Sequence, residues 1–226
     1  MKVLLSAYAC EPHAGSEPAV GWSWAVELAR LGHDVVVITR ANNQFAIQTE
    51  LNIMLGSHKP RFVFFDLPRW ARWWKRGNSG IHLYYFIWQI GAYRLAKRIH
   101  AYERFDRVHH VTFATIRQPS LLGGLGVPFI FGPAGGGENA PWRLRWGYGL
   151  RGIVLDAARD LVNLLSRFDP LLRRTFRQAS HIYVTSEQSR LLVPRKFRAK
   201  TSIKLAIGAD ERFELPEVKQ PNVNRP

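Results

Sequence analysis

The sequence predicts an α/β fold of the Rossmann-like, doubly wound type, with a mainly parallel sheet of about seven strands and helices on both faces. Short apolar runs rich in β-branched residues alternate with segments of helical periodicity along the chain. The runs at 3–8 and 35–39 are far enough apart for a helical crossover between parallel strands. Glycine-rich loops follow the first run and the run at 127–131. Sheets of this type bind ligands at the carboxyl ends of their strands.

The first unit consists of a strand from Val3 to Tyr8, a loop that contains Gly15 and Gly21, and a helix from about Trp22. A helix N-terminus at this position offers free backbone N–H groups and the positive end of the helix dipole, which suit a phosphate. A tight turn alone would also explain the glycines. The motif therefore leaves phosphate binding and a purely structural loop as alternatives.

The remaining elements follow from periodicity and from glycine and proline boundaries. Further strands are predicted at 61–67, 107–113, 127–131, 181–185 and 202–207, and helices at 44–56, 83–103, 142–178 and 187–192, the third of these broken at 147–152 and near Pro170. Proline recurs in the last dozen residues, which predicts a linker. We therefore expect one domain at 1–212 and a linker or tail at 213–226.

The formal net charge is +15, with most of the excess in 59–107 and 143–177. A charge of this size indicates an anionic partner: nucleic acid, a membrane surface or a phosphorylated substrate. The single cysteine, Cys10, cannot form an internal disulfide, which favours a reducing, cytoplasmic compartment. The apolar run at the N-terminus is too short for an export signal, and acidic Glu11 follows it directly.

A segment after the third strand alternates tryptophan with cations, and as a helix it suits the headgroup zone of an anionic bilayer. Its members are Arg69, Trp70, Arg72, Trp73, Trp74, Lys75 and Arg76. The alternative is that the tryptophans pack on the domain and the arginines are solvated. Arginine next to aromatic residues also suits nucleic acid. We expect no nucleic-acid partner, because no nucleic-acid-binding module is recognisable.

Several stretches resemble the N-terminal half of a family 4 glycosyltransferase, a retaining enzyme of the GT-B fold. The most specific are ACEPHAGSEPAVGWSWAVELARLGHDVVVITR, FDRVHHVTF and GVPFIFGPAGGGE, with HIYVTSEQSRLL and LAIGADERF before the expected hinge. The resemblance implies one half of a GT-B architecture, the acceptor-side half. In the family, a second Rossmann-like domain carries most of the nucleotide-sugar site, and we expect that donor-binding domain to be absent from this sequence.

The resemblance also implies site residues. In the family, the loop after strand one meets the phosphates or the transferred sugar of the sugar donor, which points to Gly15, Ser16, Glu17 and Gly21. Glu17 is a candidate ligand of the acceptor or, alternatively, a cap for the helix at Gly21. Ala19 stands where many members have a second glycine, which makes this contact less certain. Many members have a histidine at the end of strand five, whereas this sequence has Gly132 and Pro133, so no histidine role carries over there.

The second glycine loop supplies further candidates. The successive glycines Gly135, Gly136 and Gly137 let a backbone approach a ligand closely, which predicts contact with the phosphate or sugar of the sugar donor. Glu138 follows them and either acts on a sugar hydroxyl or the acceptor, or caps the next helix.

Histidines and arginines at strand ends are the other candidates. His109 and His110 point to opposite faces of strand four, and we expect His110 rather than His109 to face the cleft as a catalytic group. The alternative is that both are structural or only bind the acceptor. Arg40 and Arg117 are placed to hold an anionic group of the acceptor, or else are solvated.

The predicted function is transfer of a sugar from a nucleotide-sugar to a lipid-linked or polysaccharide acceptor in cell-envelope glycan synthesis, peripherally at the inner face of the membrane. We expect neither a cofactor nor a metal, because no acidic cluster has metal-ligand spacing. One alternative is a non-catalytic basic α/β module that binds a membrane or an anionic partner. A second is an inverting GT-B enzyme, for which His13 is the only candidate base near the first loop.

Overall fold

The computed structural model describes residues 1–56, 58–71, 80–141, 143, 147 and 149–206. Over these residues the chain forms a parallel sheet of seven strands in the order β3-β2-β1-β4-β5-β6-β7. The strands are β1 (Lys2–Ala7), β2 (Asp34–Thr39), β3 (Arg61–Phe64), β4 (Arg107–Thr112), β5 (Phe129–Ala134), β6 (Ala179–Val184) and β7 (Thr201–Ile203). The predicted fold class is confirmed.

Helices lie between most successive strands, and a 3-10 turn lies between β4 and β5, so that each parallel pair has a crossover connection. The helices are α1 (Ser16–Arg30), α2 (Gln44–Ile53), α3 (Ile81–Glu103), α4 (Leu150–Ser166), α5 (Pro170–Gln178) and α6 (Glu187–Leu192). Short 3-10 turns cover Ala41–Asn43, Arg69–Ala71, Leu122–Leu125 and Arg195–Lys200.

The core lies in two layers, one on each face of the sheet. Side chains alternate along a strand, so a strand covered on both faces is apolar at every position. On β1, Leu4 packs in the layer that α3 and α5 cover, and Leu5 packs in the layer that α1 and α2 cover. The α3 layer is rich in aromatic rings, with Trp88 fully buried. Both faces therefore carry helices.

The strand order reverses between β1 and β4. The chain builds β1, β2 and β3 outward in one direction, and then returns to place β4 on the other side of β1. The connections that leave β1 and β4 consequently pack on opposite faces of the sheet, with α1 on one face and Leu122 on the other. In doubly wound sheets, a reversal of this kind forms a crevice at the carboxyl ends of the two strands. In doubly wound sheets this is the place where ligands bind.

Several element boundaries differ from the prediction, and two of the differences affect candidate site residues. Helix α1 begins at Ser16 rather than near Trp22, so Gly21 is a buried helical residue and not part of a loop. Strand β5 continues through Gly132 and Pro133 to Ala134, because β6 continues to pair with it as far as Ala134. Glycine and proline marked both places as loops in the sequence, and pairing with neighbouring elements overrides that local preference.

The predicted membrane segment is described only in part. Arg69–Ala71 forms a short 3-10 turn, and the Trp70 side chain is 78% exposed. Arg72, Trp73, Trp74, Lys75 and Arg76 lie outside the described residues, and for Arg69 only the backbone is described. No described helix combines the length and the apolar composition needed to cross a bilayer.

Candidate functional site

A hydrogen bond connects the two sides of the crevice between β1 and β4. The backbone N–H of Phe113, just past β4, donates to the carboxylate of Glu17 in the first turn of α1. Next to it, the backbone N–H of Ala9 donates to the Thr112 hydroxyl at 3.0 Å. The first contact holds the start of α1 against the end of β4, and the second joins the end of β4 to the loop after β1.

The same crevice concentrates backbone strain. Among the residues described, His13, Ser16 and Phe113 have left-handed φ angles of 57°, 58° and 55°, although none is glycine. Such conformations cost about 1–3 kcal/mol each and persist only where the surrounding contacts determine them. The hydrogen bond from Phe113 to Glu17 is one of those contacts. Strain of this kind clusters at functional sites, which supports the placement of a site here.

Glu17 has a perturbed ionisation. Burial raises the pKa of its carboxyl above the ordinary value, and the hydrogen bond from the Phe113 N–H only partly offsets this. The charge of Glu17 in turn contributes to the raised pKa of Tyr85, whose main cause is complete burial. Glu17 is therefore easier to protonate than an exposed glutamate.

The glycines of the first loop have different surroundings. A Cβ added at Gly15, the residue before α1, would meet no atom within 4 Å. A Cβ added at Gly21 would lie 2.2 Å from the carbonyl oxygen of Ala9. Gly21 thus lets α1 approach the loop after β1, and its predicted contact with the sugar donor is wrong, because its open side is filled by protein backbone.

The two histidines of β4 do point to opposite faces, but neither reaches the crevice. His109 is 2% exposed, donates from Nε2 to the carbonyl of Gly132 at 2.6 Å and packs edge-on against Trp24. His110 is 1% exposed, with Nε2 located 2.6 Å from the Tyr85 hydroxyl. The expectation that His110 faces the cleft is wrong, because helix α3 covers that side of the strand.

Burial also determines the charge state of both rings. It lowers the pKa of His109 to about 4, against a small opposing effect of the Gly132 carbonyl. It lowers the pKa of His110 to about 3, and the neighbouring His109 acts in the same direction. Both rings are neutral near pH 7.

Arg40 lies at the end of β2 against aromatic side chains. Its guanidinium is 5.1 Å from the ring centre of Tyr8 and 5.5 Å from that of Tyr84, and its Nη2 is 3.6 Å from a carboxylate oxygen of Asp66. Asp66 also accepts a hydrogen bond from the Tyr84 hydroxyl. Within the described part of the chain, the buried Nε of Arg40 and hydroxyl of Tyr8 have no hydrogen-bond partner. Arg40 is therefore held in place with donor capacity left over.

The second glycine loop is fixed to its neighbours on both sides. Gly135 exchanges backbone hydrogen bonds with the loop after β4, accepting from Ile116 at 2.9 Å and donating to Ala114 at 3.3 Å. The N–H of Gly137 donates to the Ser189 hydroxyl at 3.1 Å, and a Cβ on Gly137 would lie 2.7 Å from the Cα of Ser189. Gly137 is therefore a packing glycine, and its predicted contact with the sugar donor is wrong.

Gly136 is different from Gly137, because its φ of 93° excludes most side chains. Its N–H donates to Glu138 at 2.8 Å. Gly135 and Gly136 therefore remain candidates for close approach of a ligand to the backbone, although the Gly136 N–H already has a partner.

Glu138 ties the second glycine loop to the start of α6. One carboxylate oxygen accepts from the hydroxyls of Ser186 at 2.6 Å, Ser189 at 2.9 Å and Thr185 at 3.2 Å. Partial burial raises the pKa of this carboxyl, but hydrogen bonds from Ser186, the Glu138 backbone, Ser189 and Gly136 outweigh it and lower the pKa to about 2. An acid this strong is a poor proton carrier near pH 7. The contacts do not make Glu138 a helix cap, because it accepts from the hydroxyls of Thr185, Ser186 and Ser189, and Ser186 is the residue that caps α6.

Arg117 lies beside Glu138 but donates elsewhere. Its Nε donates to the Asn163 side chain of α4 at 2.6 Å, and burial, with Arg159 nearby, lowers the pKa of its guanidinium. The charge of Glu138 opposes that lowering. Arg117 is half-buried and not a freely solvated surface cation. It is a candidate anion ligand next to the second glycine loop.

The structure thus brings most predicted site residues to one edge of the sheet. Contacts from α1 through Phe113, Ile116 and Gly135 to Ser189 run across the carboxyl ends of β1, β4, β5 and β6. Sequence reasoning missed the partners that fix these candidates: Tyr8, Asp66, Tyr84, Asn163, Ser186 and Ser189. These partners are far along the chain from the residues that they contact, so no local sequence pattern indicates the contacts.

Two chemical classes receive no support from the described residues. No group of three or more histidine, cysteine, aspartate or glutamate side chains within them could hold a metal ion. Cys10 is fully buried, and burial raises the pKa of its thiol, so it stays protonated and is a poor nucleophile.

His13, the candidate base of the inverting alternative, is exposed, and its Nε2 is 2.7 Å from the Glu50 carboxylate.

Comparison with known families decides the classification. A family model described as "Glycosyl transferase 4-like domain" matches residues 15–205. The chain belongs to the glycosyl transferase 4-like domain family. The match begins at Gly15, at the start of α1, and runs through the second glycine loop to the end of β7. The chain is therefore a glycosyltransferase module, as the sequence resemblance predicts.

Solved structures similar to this family member include two glycosyltransferases. Sucrose-phosphate synthase from Thermosynechococcus elongatus is 14% identical with a TM-score of 0.46, and the match covers 90% of this chain and 47% of that one. CalG4, the calicheamicin glycosyltransferase, is 16% identical with a TM-score of 0.40, with 81% and 46% covered. The chain thus spans about half the length of these structures. No curated protein matches the sequence.

Proposed function

We propose that this chain is the acceptor-side half of a retaining glycosyltransferase that moves a sugar from a nucleotide-sugar to a lipid-linked or polysaccharide acceptor. The observation that carries the proposal is the family match over residues 15–205, which spans both glycine loops. A donor-binding domain of the GT-B type would supply the other side of the site. That domain, and a linker at 213–226, remain predictions.

The first turn of α1 would face the departing phosphate of the sugar donor. Gly15 is the N-cap of α1 and makes no side-chain hydrogen bond, which leaves the N–H groups of Ser16 and Glu17 open to an anion, whereas Pro18 has no N–H. The helix dipole adds positive potential at the same end. Because negative charge builds up on the phosphate as the sugar leaves, these groups would bind the transition state more tightly than the substrate.

The chemistry needs no protein nucleophile in this proposal. The bond from the anomeric carbon to the phosphate oxygen breaks, a bond from that carbon to the acceptor oxygen forms on the same face, and the acceptor proton passes to the phosphate. Glu17 is the carboxyl best placed to hold the acceptor hydroxyl, since it lies in the crevice and its pKa is raised by burial. Arg40 and Arg117 would bind anionic groups of the acceptor.

A membrane acceptor at the cytoplasmic face is the finer part of the proposal. The net charge of +15 favours anionic lipid headgroups, and the exposed Trp70 begins the segment in which tryptophan and cations alternate. If that segment contacts lipid, changing Trp70, Trp73 and Trp74 together to alanine weakens co-sedimentation with anionic vesicles. If the variant binds the vesicles as well as the unchanged protein does, the tryptophan segment is not the membrane anchor.

The decisive experiment is sugar transfer by this polypeptide, first alone and then with a separately supplied donor-binding domain. Labelled nucleotide-sugars and inner-membrane extracts serve as substrates, and the anomeric configuration of the product is determined. We expect transfer with retention only when both halves are present. Inversion would favour the alternative enzyme class, with His13 next to Glu50 as its base.

A non-catalytic module is the second candidate function. The high positive charge together with exposed apolar side chains favours it, because those features suit surface binding without any chemistry. Vesicle binding without transfer in either arrangement would support this alternative over the transferase.

A further inference from the structure

Helix α4 (Leu150–Ser166) is amphipathic with its apolar side outward. The residues that it buries are Asp156 and Asn163, which are polar. Its large apolar side chains are 46–83% exposed, and they are Leu150, Ile153, Val154, Leu155, Leu161, Val162, Leu164 and Leu165. A surface helix of a globular protein normally does the opposite. The exposed apolar strip continues past the helix to Phe168 and Leu171.

Polar contacts fix this orientation. The Asn163 side chain accepts from Arg117 Nε at 2.6 Å and donates to the Asn139 side chain at 3.2 Å. Asp156 accepts from Arg159 at 3.0 Å. Turning α4 to bury its apolar side would break the contacts of Asn163 with the loops after β4 and β5. The apolar strip is therefore a stable feature of the surface beside the second glycine loop.

The charges around the strip indicate what covers it. Exposed cations lie on α4, α5 and the turn between them, namely Arg151, Arg167, Arg173, Arg174 and Arg177, and the Arg173 guanidinium lies 5.7 Å from the ring centre of Phe168. Among the nearby acids, Asp156 is buried, Asp160 is half-buried, and Asp169 caps α5 by accepting from Leu171 and Leu172. An apolar helix face with arginines beside it suits the headgroup–acyl boundary of an anionic bilayer, where nearby cations add an electrostatic attraction to the burial of apolar surface.

We propose that α4 and its extension to Leu171 lie in the interface of an anionic lipid bilayer. This surface is separate from the tryptophan segment at 69–76. The inference rests on the proposed membrane-acceptor function for its biological setting, but lipid binding itself requires no sugar transfer. Because Asn163 joins α4 to the loop after β5, the bilayer would lie against the edge of the sheet that carries the candidate site.

The first test is co-sedimentation with vesicles of phosphatidylglycerol and phosphatidylcholine. The variant Val154→Ser/Leu161→Ser/Leu165→Ser changes three exposed positions on one stripe, so folding is not at risk. We expect about a tenfold or greater loss of vesicle affinity. The matched control is Phe45→Ser/Ile53→Ser/Leu55→Ser, which removes comparably exposed apolar side chains on and beside α2. The control should bind as the unchanged protein does.

The second test places a reporter on the strip. Because Cys10 is the single cysteine and is fully buried, Leu161→Cys can be labelled selectively with a polarity-sensitive fluorophore. We expect a blue shift with anionic vesicles and a smaller one with pure phosphatidylcholine. The same label at Phe45→Cys should not respond.

Three outcomes would overturn the proposal: equal vesicle binding by the α4 variant and its control, no shift of the label at position 161, or an equal response to neutral and anionic vesicles. A shift that depends on protein concentration without vesicles would assign the strip to a second copy of the chain instead. None of these readouts uses sugar transfer, so their failure and the failure of the proposed function are distinguishable.

Discussion

Glu17 and Phe113 are 96 residues apart in sequence, yet the Phe113 backbone N–H donates a hydrogen bond to the Glu17 carboxylate. This contact joins the first turn of α1 to the end of β4, at the point where the strand order reverses. It also satisfies the N–H of a residue held at a left-handed φ of 55°. The Glu17 side chain therefore helps to fix the shape of the crevice where ligands are expected, and it also faces that crevice.

Removing this contact should destabilise the fold. Glu17→Ala leaves the Phe113 N–H without its partner, which costs about 1–3 kcal/mol in the free energy of unfolding. Glu17→Gln keeps an acceptor oxygen, and burial already disfavours the charge of the carboxylate, so we expect a loss below about 1 kcal/mol. Urea titration followed by circular dichroism measures both. Equal losses in the two variants would show that the hydrogen bond is not what stabilises this region.

Alanine variants of Gly15 and Gly21 should distinguish a glycine needed for packing from a glycine available for ligand contact. Gly21→Ala places a methyl group 2.2 Å from the Ala9 carbonyl oxygen, so we expect a loss of about 1–3 kcal/mol in unfolding free energy. Gly15 has an ordinary φ of −91° and open space around it. Gly15→Ala should change stability by less than about 1 kcal/mol, because the entropic gain of the substitution is opposed by the poorer capping of alanine at the N-cap of α1.

Thermal melting of the two variants tests this difference, and transfer assays extend it. Reduced transfer by Gly15→Ala at full stability would indicate that Gly15 approaches the substrate. A Gly21→Ala variant as stable as the unchanged protein would contradict the packing account.

The order of strands and helices along the chain was predictable, because each element depends on a local periodicity of apolar residues. The apolar runs of β1 and β2, the crossover helices and the position of α6 all follow from patterns within about ten residues. Periodicity does not show which way an amphipathic helix faces. The apolar side of α4 was evident in the sequence, whereas its exposure depends on Asn163 meeting Arg117 and Asn139 across the fold.

Site residues were predictable by position but not by role. Glu138 was recognisable as a carboxylate at a strand end, but its partners Ser186 and Ser189 lie about fifty residues further along the chain. Alternation placed His109 and His110 on opposite faces, yet the helices that cover both faces are a property of the whole fold. Burial and long-range hydrogen bonds decide these roles, and neither has a local signal.

The stabilising effect of Glu138 should depend on pH. Its folded-state pKa of about 2 lies below the ordinary value of 4.5, so the stability it contributes is present above about pH 4.5 and is lost as the pH falls towards 2. Because the side chain is partly exposed, we expect Glu138→Gln to cost only about 1 kcal/mol near pH 7.

Urea titrations at neutral and acidic pH measure the free energy of unfolding of Glu138→Gln and of the unchanged protein. The difference between the two free energies should shrink as the pH falls from about 4.5 towards 2. Glu27→Gln, at the exposed far end of α1, is the control. A difference that stays constant with pH would contradict the assignment of a low pKa to Glu138.

The buried histidines should make the protein sensitive to acid. Unfolded histidine titrates near 6.5, whereas His109 and His110 have pKa values of about 4 and about 3, so the unfolded chain binds more protons below pH 6.5. Stability therefore falls with decreasing pH by about 1.4 kcal/mol per pH unit for each histidine.

Replacing one ring tests this directly. His110→Phe should be less stable than the unchanged protein near pH 7, because the Tyr85 hydroxyl loses its partner. Between about pH 6.5 and 4 its stability should fall less steeply, since one titrating group is gone. The measurement is urea unfolding across this range. Parallel pH profiles for the two proteins would show that His110 is not neutral in the folded state.

The most direct test of the central claim is sugar transfer by the chain together with a donor-binding domain, comparing the unchanged protein with Glu17→Gln and with Glu27→Gln. The claim is that the crevice between β1 and β4 is half of a transfer site. It predicts transfer with retention, a loss of about tenfold or more in kcat/KM for Glu17→Gln, and none for Glu27→Gln. Absence of transfer by the unchanged protein, or equal activity of the two variants, would contradict it.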